Sequence, residues 1–280
     1  MSAFARMTAG MRVWLLGTGG AANERRRQAS LLIGWGDESS GGRLLLDTGS
    51  GLDVVRQLVT AGCSPTAVRD IFVSHQHVDH VGGLEPLLLW TVLRVLRETG
   101  GGPKEETRVH GEPRVLADIE RLLDAVASAV PRLFDGKLRL VPVTDGAAVP
   151  LRGGARLTAF LVEHQPVGGG AMGCVVELDG VRIAYSGDTR PARRLVETAQ
   201  GVELLVHEAA GLDDRAAEIH AQGHSTAGDA GRAAKEAGVG RLILTHLPAD
   251  DAVTQRMLAE ARAAFGGPVE LASDLVIAEP

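Results

Sequence analysis

The 280-residue chain has only two cysteines, Cys63 and Cys174. That excludes a disulfide framework, and neither sits in a C-x-x-C zinc pattern, so both read as reduced core thiols. Basic side chains are outnumbered as well: 29 Lys and Arg stand against 35 Asp and Glu, a net charge of -6. A broad electrostatic grip on nucleic acid is therefore disfavoured, because non-specific affinity for a polyanion comes from basic groups displacing counterions. No stretch is apolar for long enough to span a bilayer, and the first residues, MSAFARMTAGMRVWLLG, lack the apolar stretch and small-residue cleavage site of a signal peptide. A soluble cytoplasmic protein without a membrane partner is expected. Short-period repeats and low-complexity tracts are also missing. With 45% hydrophobic residues the chain can bury a large core, and one domain over residues 1–280 is the expectation.

What is present is an alternation of short β-rich runs with amphipathic helical patterns, punctuated by Gly, Pro or Asp. The predicted strands are RVWLLG, ASLLIGW, RLLLD, DIFVSH, TRVHG, KLRLVPV, ARLTAFLVEH, GCVVEL, VRIAYSG, VELLVHE, RLILTH and VELASDLVIA. Helices are predicted after Ser50, Gly83, Glu112, Pro191, Ser225 and Ala252, and a polar loop over 98–106. So many strands mixed with helices imply an α/β protein with one large sheet or two, covered by helices.

The segment SHQHVDHVGG, Ser74 to Gly83, places His75, His77, Asp79 and His80 within six positions at the exit of an apolar strand. Further apolar strands lead directly into His164, Asp188, His207, Glu208 and His246. One sheet edge would then collect His75, His77, Asp79, His80, His164, Asp188 and His246. Neutral imidazole and carboxylate suit Zn²⁺ and its first-row neighbours, and a mixed nitrogen and oxygen set is expected of a catalytic site, whereas structural zinc prefers thiolates. Seven ligands are too many for one tetrahedral ion. Two ions sharing a carboxylate use them all and leave room for a bridging hydroxide, nucleophilic near neutral pH. Asp188, with two oxygens to offer, is the candidate shared ligand. Two Zn²⁺ are expected, with Mn²⁺ or Fe²⁺ as alternatives that the same ligands accept.

HQHVDH resembles the H-x-H-x-D-H signature of the metallo-β-lactamase superfamily, and its surroundings resemble the ribonuclease Z branch: WLLGTGG, LLLDTGSG, VHGEP, YSGDTRP, LLVHEAA, GHSTAGDAGRAAKEAG and LILTHL. The resemblance implies a four-layer α/β/β/α metallo-β-lactamase fold. It implies one zinc on His75, His77 and His164, another on Asp79, His80 and His246, and Asp188 between them. It also implies a Glu and His pair, Glu208 and His224, that protonates a leaving alkoxide, and a homodimer. Asp79, Glu208 and His224 are thus the candidate catalytic residues. A positioned imidazolium is useful there because the alkoxide of a phosphodiester is strongly basic.

Departures from that branch bear on substrate. Its tRNA-processing members usually carry a long arm between the positions of His164 and Asp188, and the 23 residues here leave no room for one. THLPADD stands where the branch has S-A-R-Y after the last His, Gln28 stands where an early Asn is usual, and PVGGGAMG after His164 is expected to form part of a substrate rim. The leading expectation is a dinuclear phosphodiesterase acting on a small or short, flexible phosphodiester. Alternatives are an ester, thioester, lactone or arylsulfate hydrolase with the same metals, a true tRNA 3′-processing endoribonuclease, and a catalytically idle metal-binding protein. Asp47 reads equally as a hydrogen-bond acceptor from a ligand imidazole or as part of a helix-capping turn. His207 is expected to orient the dyad or a ligand, His110 to end a strand and His220 to lie in a loop. Arg25 to Arg27 read as a solvated charge run that could reach a substrate phosphate, and GTGG at Gly17 to Gly20 as a tight strand exit.

Overall fold

Apolar runs rich in Leu, Ile and Val form strands that are buried on both faces, and the amphipathic helices between them cover those strands. A computed structural model describes residues 10–37, 41–164 and 170–280. The strands are β1 Met11–Gly17, β2 Ser30–Trp35, β3 Gly42–Leu46, β4 Asp70–Phe72, β5 Thr107–Gly111, β6 Leu138–Pro142, β7 Ala148–Pro150, β8 Arg156–Leu161, β9 Met172–Leu178, β10 Val181–Tyr185, β11 Leu204–Glu208, β12 Arg241–Thr245, β13 Val269–Leu271 and β14 Val276–Ala278. The helices are α1 Asp53–Thr60, α2 Val78–Val81, α3 Leu84–Thr99, α4 Pro113–Ala127, α5 Ala129–Leu133, α6 Arg193–Thr198, α7 Ala216–Ala221, α8 Ala227–Ala237 and α9 Asp251–Phe265.

Two seven-stranded sheets result, ordered β14-β1-β2-β3-β4-β5-β6 and β13-β12-β11-β10-β9-β8-β7. Each joins an antiparallel meander to a parallel run, β3 to β6 in the first and β10 to β13 in the second. Alternation along the strands sorts the side chains into three apolar layers. Val13, Leu15, Ile33, Leu44, Phe72, Val176 and Val206 meet between the sheets. Leu16, Leu32, Ile71 and Val109 pack under α1, α3 and α4, and Leu205, Leu242 and Leu244 pack under α6, α8 and α9. The arrangement is the four-layer α/β/β/α sandwich expected. Its edge strands are short or half-exposed, and Pro142 and Pro150 lie on two of them, which blunts edge-to-edge pairing.

The predicted strands recur with small shifts at their ends, but VELASDLVIA divides. Val269–Leu271 joins the second sheet and Val276–Ala278 crosses to pair with β1 in the first, because the polar Ser273 and Asp274 turn the chain between the two layers. The predicted DIFVSH strand ends at Phe72, and its last residues already belong to the site loop. The strand Ala148–Pro150 and the short helices α2, α5 and α7 have too few residues to show a periodic pattern. His220, expected in a loop, lies on α7 and its Nε2 is 2.6 Å from Asp229. His110 lies in β5 as expected, buried and 2.9 Å from Asp70.

Candidate metal centre

Six strand exits open onto one edge of the sandwich. β4 delivers His75 through Ser74, the short helix α2 presents Asp79 and His80, and its N-cap is His77, whose extended backbone swings the ring away from that helix. From the second sheet, the stretch after β8 ends in His164, β10 leads to Asp188, β11 ends in Glu208, and β12 leads to His246. The remaining exit, that of β3, is Asp47. Asp47 and His246 both have positive φ, 55° and 56°, a region non-glycine residues enter rarely and mostly at functional sites.

The seven predicted ligands converge. His75, His77 and His164 form one group whose ligand atoms lie within 4.8 Å of one another, and Asp79, His80 and His246 form another. Asp188 Oδ2 stands between them, 3.8 Å from His75 Nε2, 3.2 Å from His80 Nε2 and 3.5 Å from His246 Nε2. His164 Nε2 is 3.2 Å from His77 Nδ1, and His246 Nε2 is 3.3 Å from Asp79 Oδ2. Except for His77, which lies at the rim, these groups are buried.

Their outward nitrogens are held. His80 Nδ1 donates to Asp47 Oδ2 at 2.8 Å, His164 Nδ1 donates to the Gly223 carbonyl at 2.8 Å, and His75 Nδ1 lies 3.0 Å from Ser74 Oγ, which itself donates to Asp47. Each bond fixes a tautomer whose Nε2 lone pair faces inward, the usual support for a metal-ligating imidazole. Among the described residues, His75 Nε2, His80 Nε2 and Asp188 Oδ1 are buried without a hydrogen-bond partner. Orphaned buried acceptors cost roughly 1–3 kcal/mol each, and a cation at their focus satisfies all of them. The donor set therefore fits a divalent metal.

The electrostatics agree. Burial, and then the neighbouring imidazoles, hold His75 well below the usual histidine range; His77 and His164 are lowered chiefly by burial. These are neutral rings ready to coordinate. Burial pushes the Asp188 carboxyl up, but His246 and His80 outweigh it and hold the group well below the ordinary carboxylate range. Burial disfavours charge on His80 and His246 too, yet Asp188, with Asp47 for the former and Asp79 for the latter, raises both. Positive charge is what the buried carboxylates require, and protons and divalent ions compete for the same nitrogens.

Glu208 and His224 are brought together beside this cluster. His224 Nδ1 lies 3.0 Å from Glu208 Oε1 and 3.9 Å from Asp188 Oδ2. Burial lowers the His224 pKa, but the Glu208 carboxylate outweighs it and raises it to about 9. The backbone N–H of Thr189 donates to the same Glu208 oxygen, and Ser225 Oγ donates to the Thr189 carbonyl, which ties the His224 loop to the turn after Asp188. Thr226, and not Ser225, caps α8, in a capping box with Asp229.

Other expectations resolve in the same way. Asp47 accepts hydrogen bonds and caps nothing, since α1 begins six residues later behind Leu52. His207 faces the other side of the sheet and donates to the Glu208 backbone carbonyl, so it orients neither the dyad side chains nor a ligand. Arg25, Arg26 and Arg27 are turned onto carboxylates: Arg25 and Arg26 onto Asp251, and Arg27 onto Asp53, with its backbone N–H on Asp274. Gln28 spans its own loop, donating to the Ala21 carbonyl and accepting from Ser50. In THLPADD, Asp250 caps α9. The GTGG exit is tight because a Cβ on Gly20 would come within 3.0 Å of the His246 ring. Of PVGGGAMG, residues 166–169 lie outside the described residues, and Met172 and Gly173 open β9. Sequence reasoning missed Ser74, Tyr185, Thr189 and Gly223, which touch ligands or their supports. Tyr185 carried a readable sign: it falls on the core-facing register of its strand, where a hydroxyl needs a buried partner.

A family model described as "Beta-lactamase superfamily domain" matches residues 42–247. Ribonuclease Z of Methanothermobacter thermautotrophicus is 31% identical, with 96% of each chain covered. The chain is a ribonuclease Z-like member of the metallo-β-lactamase superfamily. It is accordingly a metal-dependent hydrolase. Ribonuclease Z of Myxococcus xanthus is also 31% identical, over 94% of this chain and 96% of the relative. The superfamily protein's fold is shared with solved structures: the metallo-beta-lactamase fold protein YhfI from Bacillus subtilis (TM-score 0.80, 22% identity, 96% and 99% of the chains covered) and the short form of human tRNase Z (TM-score 0.72, 23% identity, 96% and 98%). The alignment to the Methanothermobacter enzyme spans 317 positions, more than the 280 residues of this chain, so that relative has segments with no counterpart here.

Proposed function

We propose that residues 1–280 act as one catalytic domain, a dinuclear phosphodiesterase with two Zn²⁺ ions that hydrolyses a compact phosphodiester. In this reading His75, His77 and His164 hold one ion, Asp79, His80 and His246 hold the other, and Asp188 is shared. Mn²⁺ or Fe²⁺ would be accepted by the same atoms. Bound there, the ions supply Lewis acidity and a water acidic enough to act near neutral pH.

The observation that carries the choice of chemistry is the Glu208 and His224 pair, 3.0 Å apart and next to the shared carboxylate. Glu208 keeps the imidazole protonated and fixes its orientation through Nδ1. The opposite nitrogen, Nε2, then holds the proton that a departing alkoxide needs. Such an acid is of most use against a poor leaving group. An alkyl phosphodiester has one; a thioester or an aryl sulfate does not.

Size selection rests on what surrounds the site. Arg25 to Arg27 are engaged with Asp251, Asp53 and Asp274, the net charge is -6, and a named Ribonuclease Z carries segments that this chain lacks. A large rigid polyanion therefore has little to hold it. The second reading, tRNA 3′ processing, is favoured by the names of the relatives and remains the alternative that the assay must include. The two buried free thiols, Cys63 and Cys174, suit the reducing cytoplasm, and a homodimer is the proposed assembly.

The test is a hydrolysis screen of zinc-loaded protein over alkyl and aryl phosphodiesters, cyclic nucleotides, precursor tRNA, aryl sulfates and thioesters. Highest kcat/KM on a small phosphodiester supports the reading. Efficient trimming of precursor tRNA at physiological salt replaces it with the second, and turnover of thioesters or sulfates alone overturns the phosphodiester assignment.

A further inference from the structure

The chain has a single tyrosine, Tyr185, and it is buried between the two sheets at 2% exposure. It lies at the end of β10, three residues before Asp188. Its hydroxyl crosses the sheet interface and donates to Asp47 Oδ2 at 2.8 Å. The same oxygen accepts from Ser74 Oγ at 2.7 Å and from His80 Nδ1 at 2.8 Å, while Oδ1 accepts the Ser74 backbone N–H at 2.7 Å. Four donors thus meet one fully buried carboxylate, whose lone pairs they saturate.

The geometry points to Tyr185 as a positioning residue for the metal centre: its hydroxyl fixes, from the opposite sheet, the Asp47 carboxylate that orients His80 directly and His75 through Ser74. Asp47 sits at the strained exit of β3, and its own sheet supports the carboxylate through Ser74 and through His80, the ring it is to orient. Tyr185 belongs to the sheet that carries Asp188 and His246. The hydroxyl therefore registers the two sheets against each other at the depth where their ligands must meet. Removing it takes away the one hydrogen bond that reaches Asp47 from the opposite sheet and leaves the carboxylate to Ser74 and His80, and loss of such outer hydrogen bonds typically weakens metal affinity by about 10- to 100-fold. This inference rests on the metal-binding reading of the site.

The test is zinc affinity of the stripped protein, measured by competition with a chromophoric chelator, for wild type, Tyr185→Phe, Asp47→Asn and the double variant. Phenylalanine keeps the ring and removes only the hydroxyl. The expected result is about a 10-fold or greater loss of affinity for at least one ion in Tyr185→Phe, and a double variant no weaker than Asp47→Asn alone, because both changes break one linkage. Wild-type affinity in Tyr185→Phe, or fully additive losses, overturns the inference and leaves the metal reading standing. A wild-type chain that takes up no zinc defeats the metal reading and this inference with it. If Tyr185→Phe does not fold, wild-type protein carrying 3-fluorotyrosine gives a single ¹⁹F resonance: movement on zinc addition is expected, and a stationary signal counts against the linkage.

Discussion

The two sheets contribute to the site in opposite styles. The first sheet concentrates its ligand-type side chains, His75, His77, Asp79 and His80, on one turn, and orients two of them through side chains, Asp47 and Ser74. The second sheet spreads His164, Asp188, Glu208 and His246 over four strand exits that span 82 positions and supports them mainly with backbone: the Gly223 carbonyl for His164, the Thr189 N–H for Glu208, and a positive-φ turn for His246. A concentrated cluster tolerates small shifts of the sheet that carries it, because its members move together. A dispersed set keeps its geometry only while the strand register holds.

The largest effect should come from the residue where the two styles meet. Asp188→Ala removes the oxygens between both groups, and it should abolish hydrolysis and lower bound metal, read by elemental analysis of protein purified without chelator. Retained activity with full metal would place the shared role elsewhere. His224→Ala tests the second sheet's proton donor without removing a proposed ligand. It should slow hydrolysis of an alkyl-leaving-group diester by about 10²- to 10⁴-fold and that of a nitrophenyl diester far less. Equal losses on the two substrates would make the dyad a packing element.

That asymmetry also sets how much of the site is legible in the sequence. H-Q-H-V-D-H can be read because spacing alone puts its four side chains on one turn. His164, Asp188 and His246 could be placed only because each ends an apolar run, where the chain leaves the sheet and its next polar side chain falls at the sheet's edge. The supports were less visible. Ser74 and Thr189 are ordinary strand-end hydroxyls, Gly223 acts through its carbonyl, which no side-chain pattern records, and the role of Asp47 depends on a partner, Tyr185, 138 positions away. Arg25 to Arg27 were open for a related reason, since their partners come from distant elements: Asp53 and Asp251 start α1 and α9, and Asp274 lies in the turn before β14. The layer order followed from the resemblance; the crossing of Val276–Ala278 to the first sheet did not, because both halves of VELASDLVIA have the same period.

A smaller effect is expected where the second sheet's backbone support begins. Asp229 closes the capping box of α8 behind the His224 loop and accepts from Thr226 and Arg232, with His220 2.6 Å away. Burial raises its carboxyl, but the bonds from His220 and Arg232 outweigh this and bring its pKa to about 2. Because the folded value lies below the unfolded one, its stabilisation is present above about pH 4 and is lost as pH falls toward 2. Asp229→Asn should cost about 1–2 kcal/mol of stability at neutral pH and flatten the decline between about pH 4 and pH 2, as followed by urea unfolding. An unchanged pH slope would mean the cap does not carry that linkage.

The most direct test of the central claim is the metal content of the wild-type chain purified without chelator, measured beside its activity. Two equivalents of zinc per chain are predicted, with activity lost on stripping and restored on reloading; a preparation free of metal and fully active would contradict the account.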